Sequence, residues 1–229
     1  MHYVVSDIHG SYINFMKLLK EIHFEREDIM YIIGDIPSRG KGTFQLLDYV
    51  MDTPNIVHIK GNHEFFLEKY IEKDEDMLRN YGFFGGEEVI EQLKSFSKER
   101  IKVYHDYLKK LPLYLRIKVN NQQYVLTHSG YLEDYDAIYN EDGSIDITAS
   151  IDSWCGKSQF RYLISNDLHY IPASIKFDKL IVGHYATKYL DHDGIYFCNR
   201  YIDIDNGHHI VPGRKLACLR LEDMQEYYI

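Results

Sequence analysis

IMYIIGDIPSRG, residues 29–40, decides how the rest of the chain is read. Five of its first six residues are apolar or aromatic, the run expected of a strand buried in the core. The run breaks at Gly34 and Asp35, and Pro37 sets a turn. A strand built for the interior therefore ends by delivering a carboxylate, Asp35, and a guanidinium, Arg39, to one place.

The same strand, turn and helix recur on either side. HYVVSD reads as a strand and DIHGS as a turn, after which Phe15, Leu18, Leu19 and Ile22 fall at i, i+3, i+4 and i+7, a helical stripe. MYIIGD leads through PSRGKG to a helix marked by Phe44, Leu47 and Val50. NIVHIKGN leads into a third helix, HEFFLEKYIEK. Strands alternating with helices imply crossover connections and a mostly parallel sheet.

Residues 73–111 carry no strand signal and read as a helical insertion. EEVIEQLKSF and RIKVYHDYLKKL are expected as surface helices, with YGFFGG as a hinge between them. After Pro112 come YLRIKV, QYVLTH, KLIVGH, YFCN, YIDID, KLACLRL and QEYYI, short strands expected to form a second, β-rich sheet. Turn dipeptides such as Asn120-Asn121 and Asp193-Gly194 join several of them. No linker, repeat or low-complexity run interrupts the chain, so residues 1–229 are expected to form a single α/β domain.

Composition narrows the function. At 229 residues and 45% hydrophobic, the chain can bury a substantial core. Its formal charge of −9 argues against a nucleic-acid partner, which calls for a basic face, but leaves room for a local cationic site that takes a phosphorylated substrate. Cys155, Cys198 and Cys218 are scattered and have no CxxC spacing, so neither a disulfide framework nor a thiolate zinc site is expected. No signal-peptide pattern and no membrane-spanning apolar run is present. The expectation is a soluble cytoplasmic protein with no membrane partner; nothing signals an oligomeric state.

Each early strand ends in a candidate ligand: Asp7 and His9, then Asp35, then Asn62 and His63. The later strands ending LTHSG and LIVGH add His128 and His184. Ligands of open α/β sheets gather at the carboxyl ends of strands. Singly, each has a plainer reading: Asp7 as the cap of the following helix, Asp35 and Asn62 as turn formers, His128 as a hydrogen-bonded structural histidine. Those readings would have to coincide at five strand ends. Carboxylate, imidazole and amide oxygen without thiolate suit manganese, iron or zinc. The number of donors suits two ions, roughly 3.5–4 Å apart. Two divalent cations against Asp7 and Asp35 leave a net positive cluster, suited to a phosphoryl group.

DIHG, GDIPSRG, KGNHE, HSG and GH, in this order, resemble the signatures of the calcineurin-like metallophosphoesterases, in particular the serine/threonine phosphoprotein phosphatase branch of bacterial and phage type. FFGGEE, LKKLPLY and YIDIDNG resemble further family segments. The resemblance implies a four-layer α/β/β/α sandwich of two mixed sheets. It implies one metal on Asp7, His9 and Asp35, and a second on Asp35, Asn62, His128 and His184, the expected occupants being manganese ahead of iron or zinc. It further implies hydrolysis of phosphomonoesters, with phosphoprotein as substrate (Ser/Thr or Tyr), by direct attack of a metal-bridging hydroxide. Arg39 would clamp the phosphate, with Asn62 and Lys60 assisting, and His63 would protonate the leaving oxygen. A diadenosine tetraphosphatase-like hydrolase and a non-catalytic phospho-binding member share these motifs and stand as alternatives.

The pattern departs from the family in three places. Ser38 occupies the position of a second aspartate in GDxxDRG, which removes the carboxylate partner of His63. Lys60 replaces arginine in RGNHE. A later phosphate-clamping residue falls on Lys157 or Arg161, with Arg161 preferred. In GHYAT, Ala186 stands where nucleases and phosphodiesterases carry a second histidine, which favours the phosphatase branch. His208 and His209 lie near the closing motif, where they could approach the site, although a surface loop is the favoured expectation.

Overall fold

A computed structural model describes residues 1–130, 137–170 and 179–229. The three expected units are present. Strands β1 (His2–Val5), β2 (Ile29–Ile32) and β3 (Ile56–His58) pair in parallel, joined by helices α1 (Tyr12–Glu21) and α2 (Thr43–Asp52) and followed by α3 (Asn62–Ile71). The predicted α1 stripe is the buried one: Phe15, Leu18, Leu19 and Ile22 all lie in the core.

Between β3 and the second sheet run α4 (Glu75–Asn80), a π-helical turn (Gly82–Gly86), α5 (Glu87–Leu93) and α6 (Lys98–Lys110). Two expectations are corrected here. The glycine-rich turn joins α4 to α5 rather than α5 to α6. The helices are also not confined to the surface, because Val89, Leu93, Tyr104 and Leu108 are buried in the same cluster as β1 and β2. The many lysines and glutamates of this segment, which read as surface, occupy only its outer face.

The second sheet holds β4 (Tyr114–Val119), β5 (Gln122–Thr127), β6 (Lys179–Val182), β7 (Tyr196–Phe197) and β8 (Tyr201–Asp203), in the order β4-β5-β6-β8-β7. Asn120 and Asn121 both have positive φ, 46° and 64°, as a two-residue hairpin turn requires. Strands β9 (Ala217–Arg220) and β10 (Gln225–Tyr228) depart from the expected second sheet. They pair antiparallel on the free side of β1, giving the first sheet the order β10-β9-β1-β2-β3. Alternation identifies a strand but not its neighbour.

Side-chain alternation divides the core into three layers. Tyr3, Val5, Met30 and Ile32 face α1, α2, α3 and α6. Val4, Tyr31 and Ile33 face the opposite sheet, meeting Tyr124, Leu126, Ile181 and Ile202. On the far side, Val125, Leu180 and Val182 pack on Ile147, Ile151, Trp154 and Leu163 of α7 (Ile147–Leu163). Two mixed sheets flanked by helices are thus the α/β/β/α sandwich that the motifs implied. The carboxyl ends of β1, β2, β3, β5 and β6 all lead into the loops that carry the candidate ligands.

Candidate metal centre

The loops after these strands bend sharply. Asp7, His9, Asp35, Ser38, Arg39 and His184 have φ of 52°, 47°, 60°, 76°, 64° and 70°. Left-handed backbone is tolerated best by Gly, Asn, Asp and His, and each such residue stores on the order of 1–3 kcal/mol. Asp and His are therefore both the ligating types and the types that the backbone accepts. Gly34, at φ 95°, has no room for a Cβ, which would meet the His128 ring and Gly61.

Asp35 lies at the middle. Its Oδ2 is 3.8 Å from Nε2 of both His9 and His63, and its Oδ1 is 3.4 Å from His128 Nε2. The donor atoms of His9, Asp35 and His63 form one compact group and those of Asp35, His128 and His184 another, sharing Asp35. Asn62 Oδ1 lies 2.8 Å from His128 Nε2 and 2.9 Å from His184 Nδ1. Asp7 Oδ1 is 3.8 Å from His9 Nε2, while its Oδ2 accepts from the His184 backbone N–H at 3.0 Å and from the Ser6 hydroxyl. Asp7 does not cap α1, whose N-cap is Ser11.

These residues fit divalent cations. Carbonyl oxygens only accept, so His9 Nδ1–H donates to Pro37 O (3.2 Å) and His128 Nδ1–H to Ile33 O (2.9 Å). In the neutral imidazoles, Nε2 then presents a lone pair to the cluster. Lone pairs of His128 Nε2, Asn62 Oδ1 and Asp35 Oδ1 face one another, an arrangement that a cation relieves. The charges point the same way. Burial first, then Asp7 and Glu64, raise the Asp35 carboxyl well above its ordinary range. Burial and neighbouring cationic groups hold His9 and His63 well below theirs, and burial with His128 takes His184 down to about 3. Burial thus disfavours bare charge of either sign in the pocket, favouring protonation of Asp35 and keeping His9, His63 and His184 as neutral electron-pair donors.

A second tier braces the first. Glu64, fully buried in the first turn of α3, accepts from the backbone N–H groups of Asp35 (2.8 Å), Ile36 (2.7 Å) and Gly61 (2.8 Å). This is half a capping box, since glycine has no side chain to reciprocate. His58 Nε2 adds a fourth contact at 3.2 Å. Burial alone would raise the Glu64 carboxyl; the His58 contact and the backbone donors outweigh it and bring it to about 2. Ser38, the departure from the aspartate motif, is buried and its Oγ meets Tyr81 OH at 3.0 Å. His63 Nδ1 is buried without a hydrogen-bond partner among the described residues.

Arg39 is exposed at the mouth of a cavity of about 520 Å³ that also reaches Asn62, His63 and His184. Its backbone N–H donates to Gly85 O at 2.7 Å. Lys60 is a correction: it is buried, and its ammonium is held 2.6 Å from Glu68, which makes it an internal anchor of α3 and not a substrate contact. Arg161 and Lys157 are both exposed on α7, and neither lines this cavity. His208 and His209 do not lie on a surface loop. His209 Nε2 is 2.8 Å from both Ile8 O and Ser11 Oγ, and its ring stands edge-on to His9 at 5.4 Å. Asp203 and Asp205, read in the sequence only as part of a closing motif, are buried; burial first, then repulsion from Asp205 on Asp203 and from Asp7 on Asp205, raises both carboxyls. Glu64 is absent from the residues expected at the site, and its place three residues after Gly61 is the signal that could have found it; His209 had no signal beyond its neighbourhood.

A family model of the calcineurin-like phosphoesterases matches residues 3–203. The serine/threonine-protein phosphatase 2 of Salmonella typhimurium is 27% identical over 189 residues, 82% of this chain and 80% of that protein. A symmetrical bis(5'-nucleosyl)-tetraphosphatase of Wigglesworthia glossinidia brevipalpis is 29% identical over 143 residues, 59% of this chain and 46% of that protein, so the chain spans about half of its length. A crystal structure assigned to a diadenosine tetraphosphatase covers 100% of this chain and 92% of its own at a TM-score of 0.61 and 16% identity, a likeness of fold.

Proposed function

The chain belongs to the calcineurin-like phosphoesterase family, metal-dependent hydrolases of phosphoric esters, and on that premise we propose that it is a phosphatase of phosphomonoesters carried by proteins. Asp7, His9 and Asp35 would hold one divalent cation and Asp35, Asn62, His128 and His184 a second, an oxygen and nitrogen set that suits manganese, iron or zinc. Such ions supply Lewis-acid polarisation of the phosphoryl group and lower the pKa of bound water. The observation that carries the reading is that Asp35 is shared by two compact donor groups, one with His9 and His63 and one with His128 and His184; Asp7 adjoins the first, 3.8 Å from His9.

The protein's own residues do the rest. Arg39, exposed at the cavity mouth, binds phosphoryl oxygens through its planar fork and offsets their charge. His63 delivers a proton to the leaving oxygen through Nε2. Its Nδ1 has no carboxylate to orient it, because Ser38 stands at that position and turns to Tyr81. Leaving groups that need little protonation are therefore favoured. The relative from Salmonella typhimurium, matched over most of both chains, supports a phosphoprotein substrate. The tetraphosphatase relative supports a second reading, hydrolysis of dinucleoside polyphosphates. No helix among the described residues is long and apolar enough to cross a membrane, and the three cysteines are free, which supports a cytoplasmic setting.

Metal analysis of the purified protein, with p-nitrophenyl phosphate, phosphopeptides and diadenosine tetraphosphate assayed side by side in Mn²⁺, tests both readings. Two ions per chain and turnover of the monoesters are expected. Preference for the dinucleotide selects the second reading; no turnover of any substrate by the metal-loaded protein overturns both.

A further inference from the structure

The cavity beside Arg39 has two unlike poles. Arg39, Asn62, His63 and His184 form the polar one, and Phe66, Phe84, Phe160 and Ile164 form the other. The poles meet without a gap: the His63 and Phe66 rings are 5.3 Å apart, Phe66 stacks on Phe84 at 4.8 Å and 29°, and Phe160 lies 6.1 Å from Phe66. Phe84 is held by a backbone device. It belongs to the π-helical turn, where Gly85 at φ 86° abuts Arg39 so closely that a Cβ would lie 2.8 Å from Arg39 Cγ. Together with the Arg39 N–H to Gly85 O bond, this ties the aromatic wall to the phosphate-facing residue. Phe84 nevertheless keeps 39% of its surface exposed, and Phe83 beside it 87%, an exposure that packing among the described residues does not explain.

Resting on the phosphatase reading above, we propose that this wall is a specificity site for aryl phosphate esters, its occupant being the ring of a phosphotyrosyl side chain. The reach of the substrate decides among candidates. A phenolic ring joined to phosphorus through one oxygen lies against Phe84 and Phe160 while its phosphate meets Arg39. A phosphoseryl group places a single methylene there. A nucleobase lies beyond a ribose, out of register with a wall that begins at His63. Aromatic rings prefer offset or edge-to-face contact with such a surface.

Competitive inhibition by phenylphosphonate and methylphosphonate, measured on the Mn²⁺-loaded protein, tests this without any leaving group. Phenylphosphonate is expected to inhibit about tenfold more tightly, a ratio that falls to about two in Phe84→Ala and is retained in Phe84→Tyr. Phe84→Ala should also lower kcat/KM for a phosphotyrosyl peptide about tenfold while changing that for a phosphoseryl peptide less than twofold. A wild-type ratio near one overturns the proposal whether or not the variant folds. So does an equal loss on both peptides, or a greater loss on diadenosine tetraphosphate. Absence of hydrolysis of every phosphate compound would instead remove the underlying phosphatase reading, so the two failures are distinct.

Discussion

Replacing Glu64 by Gln should cost the protein much of its margin of stability, and the size of the effect follows from the site. The Glu64 carboxylate is buried and accepts three backbone N–H groups at 2.7–2.8 Å, together with His58. Charge-assisted bonds contribute roughly 1.5–3 kcal/mol each, and desolvation of the carboxylate offsets part of that sum. The net appears in the titration, which moves from 4.5 to about 2. At about 1.4 kcal/mol per pH unit, the ionised form is favoured by about 3 kcal/mol. Because the folded-state pKa is depressed, this stability is fully present above pH 4.5 and is lost as the pH falls toward 2. Glutamine stands in for the neutral carboxyl. In urea unfolding with EDTA, Glu64→Gln should therefore be less stable by about 3 kcal/mol at pH 7 and by about half of that at pH 3. For a chain of this length, the former corresponds to a midpoint lower by about 6–12 °C. A deficit under about 1 kcal/mol at pH 7, or one unchanged between pH 7 and pH 3, would refute the reasoning.

Asp35→Asn should retain the fold and lose both metal binding and hydrolysis, at least about a thousandfold in kcat/KM; metal content and activity of one preparation check it. Lys60→Met leaves buried Glu68 with only the longer Lys69 contact at 3.6 Å and should destabilise by up to about 3–5 kcal/mol with KM unchanged, whereas raised KM at full stability would return Lys60 to the substrate. Ser38→Asp installs the aspartate of the GDxxDRG pattern, a residue type that tolerates the local φ of 76°, and should raise turnover of alkyl phosphates relative to aryl ones. An unchanged ratio contradicts the role given to Ser38. His209→Ala removes the ring that holds Ile8 and Ser11 next to His9, and Mn²⁺ affinity by titration should fall about tenfold.

The candidate ligands were legible because each closes an apolar run with a residue that strands reject and sharp turns accept. Gly34-Asp35 and Gly61-Asn62 mark such points, and parallel pairing of β1, β2 and β3 then aligns them. What failed to show was direction. Nothing in KGNHE says that the Lys60 side chain turns inward to Glu68 while Asn62 turns toward the histidines. Nothing in KLACLRL names β1 as its neighbour, since the hydrophobic alternation would serve either sheet. The aromatic wall was hidden for a related reason: Phe66, Phe84 and Phe160 come from three elements whose packing no local pattern encodes.

The pairing of β9 with β1 joins Tyr3 to Arg220 across almost the whole chain. On the ribosome, β1 must wait for β9, made about 210 residues later, before that flank is covered, so over this stretch of synthesis β1 carries an open, apolar edge. Such long-range closure slows folding. Until β9 arrives, the bare side of β1 is where a wrong strand can pair.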